Sequence, residues 1–219
     1  MSRFRAVVFD FDGTLADSYA AITASVNHVA RTYGLPADWT EERIRPRVGY
    51  GLPHLMEEIF PGHDPEQSAA IYRRHHPSVL RSGTRLMPDA AATLAELHRR
   101  GYRMAVCSNK AVAFTKELLE IFGIRDYFDA VLGPDDVPRP KPAPDMLLEA
   151  VRRLGVGPDE TLYVGDMTVD VEAARAAGLT VWVIPRGSQD AATLRAAGPD
   201  RLLDRLADLT DALPETPGG

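Results

Sequence analysis

Four aspartates in two short segments are the residues of this chain best suited to chemistry. Asp10 and Asp12 lie in the segment FDFDGT, and Asp166 and Asp170 lie in VGDMTVD. Each segment adjoins an apolar run that is typical of a buried parallel strand. Ligands bind at the carboxyl ends of such strands, so we expect the four carboxylates to share one pocket. Such a cluster is tolerable only around a strong cation, and oxygen ligands suit Mg²⁺. The sequence therefore predicts a site for phosphate chemistry.

The two aspartates of FDFDGT can divide the work of a hydrolysis. Asp10 and Asp12 project to the same side of an extended chain, and Gly13 allows a sharp turn after them. An aspartate with a pKa near ~3.9 is ionised at neutral pH and can attack phosphorus. Asp12 can protonate the leaving oxygen and later deprotonate water. The alternative is a plain Asp-Gly turn, whereas a calcium-binding EF-hand is excluded because Leu15 occupies its required glycine position.

A hydroxyl and an ammonium complete the predicted pocket. Ser108 follows the second strand and can hydrogen-bond a phosphoryl oxygen, although by itself this segment fits an ordinary turn better. Lys141 lies between prolines in RPKPAP and can stabilise charge on a transferring phosphoryl group. An isolated loop lysine is usually just solvated. Asp170 also has a structural alternative, because the helix dipole favours an acid at a helix start.

Strands and helices alternate along most of the chain, which predicts an α/β fold with a doubly wound parallel sheet. Roughly 90 residues separate the first two strands, far more than a crossover connection needs. The excess reads as all-helical, with Ser18 and Thr40 as helix N-caps. We therefore expect a helical module, residues 17–83, inserted into a catalytic core of residues 1–16 and 84–219. The predicted strands cover residues 5–11, 102–108, 130–133, 161–165 and 180–185, and the predicted helices cover residues 18–33, 52–60, 65–80, 89–100, 112–122, 144–154 and 169–177.

Composition limits the partners and the compartment. The formal net charge is −6 and no basic run is present, which argues against a nucleic-acid or membrane partner. The short N-terminal apolar run is broken by an acid and predicts neither a signal peptide nor a membrane span. Cys107 is the only cysteine, which fits a reducing cytoplasm. We expect a cytoplasmic protein, as a monomer or a homodimer.

Taken together and in order, FDFDGT, the serine after the second strand, RPKP and VGDMTVD resemble the four motifs of the haloacid dehalogenase (HAD) superfamily. The resemblance implies a Rossmann-like core with a helical C1-type cap, and Mg²⁺-dependent hydrolysis of a small phosphorylated metabolite through an aspartyl-phosphate. It implies Mg²⁺ on Asp10, Asp166 and the backbone carbonyl of Asp12, with Asp170 holding metal waters or Lys141. The other implied roles are Asp10 as nucleophile, Asp12 as acid and base, Ser108 and Lys141 as phosphate contacts, and Gly13, Thr14 and Asn109 as further substrate contacts.

Within the superfamily, the chain looks most like the phosphoglycolate phosphatase branch. The similar segments are GTLADSYAAITASVNHV, VGYGLPHL, SNK and VGDMTVDVEAARAAG. In similar proteins the turn at residues 48–51 approaches the leaving group, which would bring Tyr50 and Arg47 to the substrate. An arginine fork suits a carboxylate such as that of phosphoglycolate. The alternative is that Arg47 is a solvated cation at a helix end.

Other functions of the same superfamily stay open. Inorganic pyrophosphatases and the phosphatases of sugar phosphates and nucleotides are the main alternatives. A phosphomutase that resembles β-phosphoglucomutase is less expected, because such enzymes use a cap lysine and the first lysine here is Lys110. Dehalogenases lack an acid at the position of Asp12. A catalytically inactive binding protein of the same fold is a further alternative, which metal-dependent phosphate release would separate from an enzyme.

Overall fold

The computed structural model describes residues 3–186 and 188–216 of the chain. Six strands form one sheet in the order β5-β4-β1-β6-β7-β8, with every neighbouring pair parallel. The strands are β1 (Ala6–Phe9), β2 (Ala16–Asp17), β3 (Arg85–Leu86), β4 (Arg103–Cys107), β5 (Ala130–Leu132), β6 (Thr161–Gly165), β7 (Thr180–Val183) and β8 (Arg201–Leu202). The predicted α/β class and parallel sheet are confirmed.

Helices cover both faces of the sheet and form the long insertion after β1. They are α1 (Tyr19–Thr32), α2 (Glu41–Ile44), α3 (Leu52–Ile59), α4 (Pro65–His75), α5 (Pro77–Leu80), α6 (Ala90–Arg99), α7 (Val112–Ile121), α8 (Asp145–Leu154), α9 (Thr168–Ala177), α10 (Ala191–Ala196) and α11 (Asp208–Ala212). Among the described residues, no helix combines the length and the apolar character that crossing a bilayer requires.

Strand β1 occupies the middle of the sheet and is apolar on both faces for that reason. Val7 and Phe9 pack into one apolar cluster with α6 and α7, whereas Ala6 and Val8 pack into the opposite cluster with α8 and α9. Phe9 lies opposite Val106 of β4 and Val164 of β6. The residue after Phe9 therefore leaves the sheet at its carboxyl edge, between the ends of two other strands.

The helical insertion has its own apolar cluster. Side chains of α1, α3 and α4 meet there, including Tyr19, Val26, Met56 and Tyr72. Strands β2 and β3 form a separate antiparallel pair, with Ala16 opposite Leu86 and Asp17 opposite Arg85. The chain thus leaves the core and returns to it side by side, next to the carboxyl end of β1.

Two helix predictions in the insertion need correction. Ser18 precedes α1 but makes no capping hydrogen bond, because its hydroxyl donates to Asp12 instead. The single helix predicted over residues 65–80 is two helices, since Pro77 has no N–H to donate and its ring opposes a continuous helix. The predicted cap at Thr40 is confirmed: its hydroxyl accepts from the Arg43 N–H at 3.4 Å.

Candidate active site

The carboxyl ends of β1 and β6 bring the predicted acidic residues together. Asp10 follows β1, Asp166 follows β6, and Asp170 lies in the first turn of α9. Each of the three carboxylates offers an oxygen within 4.8 Å of the other two, and all three side chains are buried. This cluster could hold a metal ion.

Lys141 is the cation at the centre of this cluster. It is buried rather than solvated, which removes the alternative of an ordinary loop lysine. Its Nζ lies 3.0 Å from Asp10 Oδ1 and 2.8 Å from Asp170 Oδ1, and it donates to the Tyr163 hydroxyl at 2.8 Å. Burial alone would lower the pKa of Lys141, but the carboxylates of Asp10 and Asp170 raise it overall. The ammonium therefore stays charged.

Both carboxylate oxygens of Asp170 accept hydrogen bonds from neighbouring residues of the site. Its Oδ1 accepts from Lys141 Nζ and from the Tyr163 hydroxyl at 2.9 Å. Its Oδ2 accepts from the backbone N–H groups of Asp166 at 3.1 Å and Met167 at 3.0 Å. Both alternatives raised by the sequence thus apply, because Asp170 stabilises the start of α9 and also holds Lys141. Little acceptor capacity is left for direct metal binding.

The charge balance of the cluster favours a bound divalent cation. Burial raises the pKa of Asp10 to about 6, even though Lys141 pulls it down. Burial also raises the pKa of Asp166 well above its usual range, and the neighbouring Asp170 adds to this shift. Among the residues that the structure describes, the cation paired with the Asp10 carboxylate is Lys141, whose Nζ also pairs with Asp170. One ammonium does not balance three buried carboxylates, so the donor set fits a cation such as Mg²⁺.

Asp12 lies outside this cluster and faces a different cation. Its two carboxylate oxygens lie 3.3 and 3.2 Å from Lys110 Nζ, and Ser18 Oγ donates to Oδ1. Asp10 and Asp12 both line a cavity of about 410 Å³. The carboxylate of Asp12 is therefore directed away from the cluster, and only its backbone remains for the predicted metal contact.

The cavity lies between the core and the helical insertion. Ser108 and Asn109 line it from the end of β4, and Tyr50 lines it from the loop before α3. Ser108 Oγ accepts from the Lys110 N–H at 3.4 Å. Asn109 donates to the carbonyl oxygens of Gly49 and Lys141, both at 2.8 Å, and so connects the insertion to the lysine loop. The structure thus brings Asp10, Asp12, Ser108, Asn109 and Tyr50 to one cavity, with Lys141 buried beneath it.

Gly13 and Thr14 were predicted to contact the substrate, but neither lines the cavity. Both lie against Asp166 instead. Thr14 Oγ1 donates to Asp166 Oδ1 at 3.2 Å. Gly13 adopts φ = 87°, and a Cβ at this position would collide with the Asp166 carboxylate. Both residues belong to the tight turn after β1, which places them against the Asp166 carboxylate.

Arg47 is not brought to the site. Its Nε lies 2.8 Å from Glu58 Oε1, and its guanidinium lies over the Trp39 ring. These partners are on the insertion itself, and they direct the side chain away from the cavity. Tyr50 does line the cavity, and its hydroxyl lies 3.4 Å from Thr168 Oγ1 of the core. Arg73 of α4 lines the cavity instead.

Several residues of this site were not predicted from the sequence. Tyr163 lies in the apolar run of β6, where only the need of a buried hydroxyl for a partner hinted at a polar function. Lys110 belongs to the SNK segment and is one of three lysines, which was a usable signal. Arg73 and His76 carried no signal, because their place in the cavity depends on how α4 packs.

Residues 7–184 match the model of the haloacid dehalogenase-like hydrolases. The chain is similar to the phosphoglycolate phosphatase of Salmonella paratyphi A, at 34% identity over 97% of this chain and 94% of that protein.

The chain is also similar to solved structures. A predicted phosphoglycolate phosphatase from Haemophilus somnus superimposes with a TM-score of 0.89 at 26% identity, covering 97% of this chain and 99% of that chain. CbbY from Rhodobacter sphaeroides, solved with xylulose-1,5-bisphosphate, has a TM-score of 0.79 at 27% identity and covers 94% of this chain and 96% of its own. The chain belongs to the haloacid dehalogenase-like hydrolase family.

Proposed function

We propose that this chain is a Mg²⁺-dependent phosphatase of small phosphomonoesters, with phosphoglycolate as its leading substrate. The observation that carries the proposal is the joint placement of two chemically different aspartates. Asp10 belongs to the buried acidic cluster with Lys141, whereas Asp12 faces the cavity beside Lys110. The phosphoglycolate phosphatases among the relatives support the choice of substrate.

The reaction follows from these two environments. A carboxylate oxygen of Asp10 attacks phosphorus and forms an aspartyl-phosphate, while the bond to the leaving oxygen breaks and Asp12 gives that oxygen a proton. Asp12 then takes a proton from water, whose oxygen attacks phosphorus and releases phosphate from Asp10. Lys141 stabilises charge on the phosphoryl oxygens, and Ser108 can donate a hydrogen bond to one of them.

Asp10, Asp166 and the backbone carbonyl of Asp12 would hold Mg²⁺. When bound, the ion supplies positive charge to the phosphoryl oxygens. Asp170 and Tyr163 are positioning residues, because each accepts a hydrogen bond from Lys141 Nζ and so fixes the ammonium in place.

The insertion, residues 17–83, acts in this proposal as a cap over a core of residues 1–16 and 84–219. The hydrogen bond from Asn109 to Gly49 and the contact of Tyr50 with Thr168 support a closed arrangement that keeps bulk water from the reaction. We place the reaction in the cytoplasm, on the strength of the lone, buried Cys107.

A phosphate-release screen with and without Mg²⁺ tests the proposal. Its substrates should be phosphoglycolate, sugar phosphates, nucleotides, pyrophosphate and acyl phosphates. We expect the highest kcat/KM for phosphoglycolate, no turnover in EDTA, and recovery on adding Mg²⁺. Asp10→Asn keeps the shape of the side chain and removes its charge, so turnover should fall to background. Full activity in EDTA or in Asp10→Asn would refute the mechanism.

A sugar-phosphate phosphatase is the second candidate. The cavity of about 410 Å³ lies within the range that accommodates ligands larger than a two-carbon acid. The structural neighbour CbbY was solved with a sugar bisphosphate. In the same screen, a kcat/KM for a sugar phosphate above that for phosphoglycolate would favour this candidate.

A further inference from the structure

A tyrosine at the start of the insertion has its hydroxyl beside the acidic cluster of the core. Tyr19 is the first residue of α1, and its side chain is fully buried. Its hydroxyl lies 2.6 Å from the hydroxyl of Ser188, in the segment between β7 and α10. The contact therefore joins the insertion to a distant part of the core. Neither residue takes part in the proposed reaction.

Ser188 is also a hydrogen-bond partner of Asp166. Its backbone N–H donates to Asp166 Oδ2 at 3.0 Å, and Thr14 Oγ1 donates to Oδ1 of the same carboxylate at 3.2 Å. Both carboxylate oxygens are thus held from the protein side. Each oxygen has a second lone pair, so these two bonds orient the carboxylate and still leave it able to bind a metal ion.

The turn at Gly13 shows that the tyrosine hydroxyl and the carboxylate are neighbours. A Cβ at Gly13 would lie 2.2 Å from Asp166 Oδ2 and 2.8 Å from the Tyr19 hydroxyl oxygen. The absence of a side chain at this position therefore leaves room for both groups on one side of the turn. Tyr19, Ser188 and Asp166 form one packed group against the end of β1.

Tyr19 is held where the insertion joins the core. Its backbone N–H accepts Asp17 Oδ1 as partner at 3.2 Å, and the Arg45 guanidinium lies over its ring, 4.0 Å from the centroid. Arg45 is also paired with Asp17, at 3.0 Å, and Asp17 belongs to β2. Because displacement grows with distance from a joint, movement of the insertion about β2 and β3 displaces Tyr19 little. Its hydroxyl can therefore keep its place beside Asp166.

We propose that Tyr19 is a positioning residue for the metal site, because its hydroxyl fixes Ser188 and Ser188 in turn fixes the Asp166 carboxylate. The inference rests on the proposed function, in which Asp166 is a ligand of Mg²⁺, and extends the support of that ligand to a residue of the insertion. Hydrogen-bond partners behind a ligand hold it in the geometry that the metal requires, and their loss weakens metal binding although the ligand itself remains.

The test measures the Kd for Mg²⁺ without substrate, from the rise in Tm over a Mg²⁺ titration. Tyr19→Phe removes the hydroxyl and keeps the ring under Arg45. Ser188→Ala removes the other hydroxyl and keeps the backbone N–H that Asp166 accepts. Tyr33→Phe is the matched control, since the Tyr33 hydroxyl makes the same type of contact, 3.0 Å from an oxygen of another serine hydroxyl, but within the insertion.

We expect the Kd to rise about threefold to tenfold in Tyr19→Phe and in Ser188→Ala, and to keep its wild-type value in Tyr33→Phe. The double variant Tyr19→Phe/Ser188→Ala should bind no more weakly than the weaker single variant, because both changes remove the same hydrogen bond. The Mg²⁺ concentration that gives half-maximal phosphate release should rise by the same factor as the Kd.

A wild-type Kd in Tyr19→Phe, an equal rise in Tyr33→Phe, or multiplied effects in the double variant would overturn the role of Tyr19. The proposed function fails separately: a wild type that binds Mg²⁺ with these differences among the variants but releases no phosphate would support the positioning role and refute the phosphatase. A wild type whose Tm does not respond to Mg²⁺ would overturn both.

Discussion

The two aspartates of FDFDGT differ because their neighbours differ. Asp10 is enclosed by other carboxylates and Lys141, and burial raises its pKa. Asp12, two residues later, faces Lys110 and Ser18 at the edge of the cavity. Two carboxyl groups in different environments can take the two roles that the reaction needs. In the proposed mechanism, these different surroundings separate the nucleophile Asp10 from Asp12, the acid and base.

The pKa of Asp10 leads to a prediction about stability. Folding raises it from about 3.8 to about 6, so the folded chain holds this proton more tightly than the unfolded chain does. This contribution to stability is complete below about pH 4 and is lost as the pH rises through about 6. In metal-free protein we expect Asp10 to lower the free energy of unfolding by about 3 kcal/mol across that range.

Urea unfolding in EDTA between pH 4 and 7 measures this effect as the difference between the wild type and Asp10→Asn. The variant lacks the titrating group, so the wild type should lose stability relative to it as the pH rises. Parallel pH profiles for the two proteins would show that the Asp10 carboxyl has an ordinary pKa in the fold.

At the residue scale, the sequence was sufficient where a residue's position followed from a strand end. Asp10, Ser108 and Asp166 end predicted strands, and parallel topology places strand ends together. The sequence left Arg47 open between a substrate contact and a surface cation, because Glu58 and Trp39 decide its direction and their contact depends on helix packing. The contact of the Tyr19 hydroxyl with the core is a property of the packed structure and leaves no trace in the sequence.

The loop before α3 is the element that joins the insertion to the core. Gly49 lies against Met167, which precedes α9, and its carbonyl oxygen accepts from Asn109. Tyr50 reaches Thr168 on the same helix. These contacts connect the position of the insertion directly to the loop that carries Asp166.

Two glycines of this loop provide a matched test of the connection. Gly49 and Gly51 both have positive φ, of 125° and 93°, so alanine is strained at either position. A Cβ at Gly49 would also collide with the Met167 side chain, whereas a Cβ at Gly51 would meet nothing within 4 Å. We expect Gly49→Ala to lower kcat/KM a few-fold more than Gly51→Ala, because the end of the Met167 side chain must turn aside before the loop can seat on the core.

Steady-state kinetics of the two variants and of Gly49→Ala/Met167→Ala check this expectation. Removing the Met167 side chain should recover part of the loss, since it relieves the collision and leaves only the backbone strain. Equal effects of the two single variants would mean that backbone conformation alone, and not contact with Met167, explains the loss.

Secondary structure was predictable wherever one pattern persisted over several residues. The five predicted strands and the four predicted helices of the core are all present, because each has a continuous apolar run or a clear apolar face. Strand β8 has two residues, Arg201 and Leu202, and is too short to show any pattern. The break after α4 was signalled by Pro77 and could have been predicted.

At the scale of the whole molecule, the insertion is joined to the core next to the acidic cluster and forms one side of the cavity. The chain leaves and re-enters the core through the adjacent β2 and β3, immediately after the loop that carries Asp12. Movement of the insertion about this strand pair would alter the cavity while leaving the acidic cluster in place. In the proposed function, metal binding by the cluster and enclosure of the substrate by the insertion are therefore separable.

Metal binding should accordingly stabilise the whole chain in a way that depends on the cluster and on the residues that position it. An ion that binds only the folded state stabilises it by about 2.7 kcal/mol at 100 times its Kd. For a chain of this size that corresponds to a rise in Tm of about 5–10 °C. Asp166→Ala should lose this Mg²⁺-dependent rise, Asp170→Asn should keep part of it, and His76→Asn should keep it fully.

Thermal unfolding over a Mg²⁺ titration distinguishes this site from diffuse binding to an acidic surface. With a formal net charge of −6, the chain attracts cations everywhere, but weakly and in competition with other ions. Binding at the cluster should saturate and persist in 0.2 M KCl, because the carboxylates are buried and poorly screened. A Tm rise of the same size in Asp166→Ala would place the ion elsewhere on the molecule, and Asp166 would then have no role as a metal ligand.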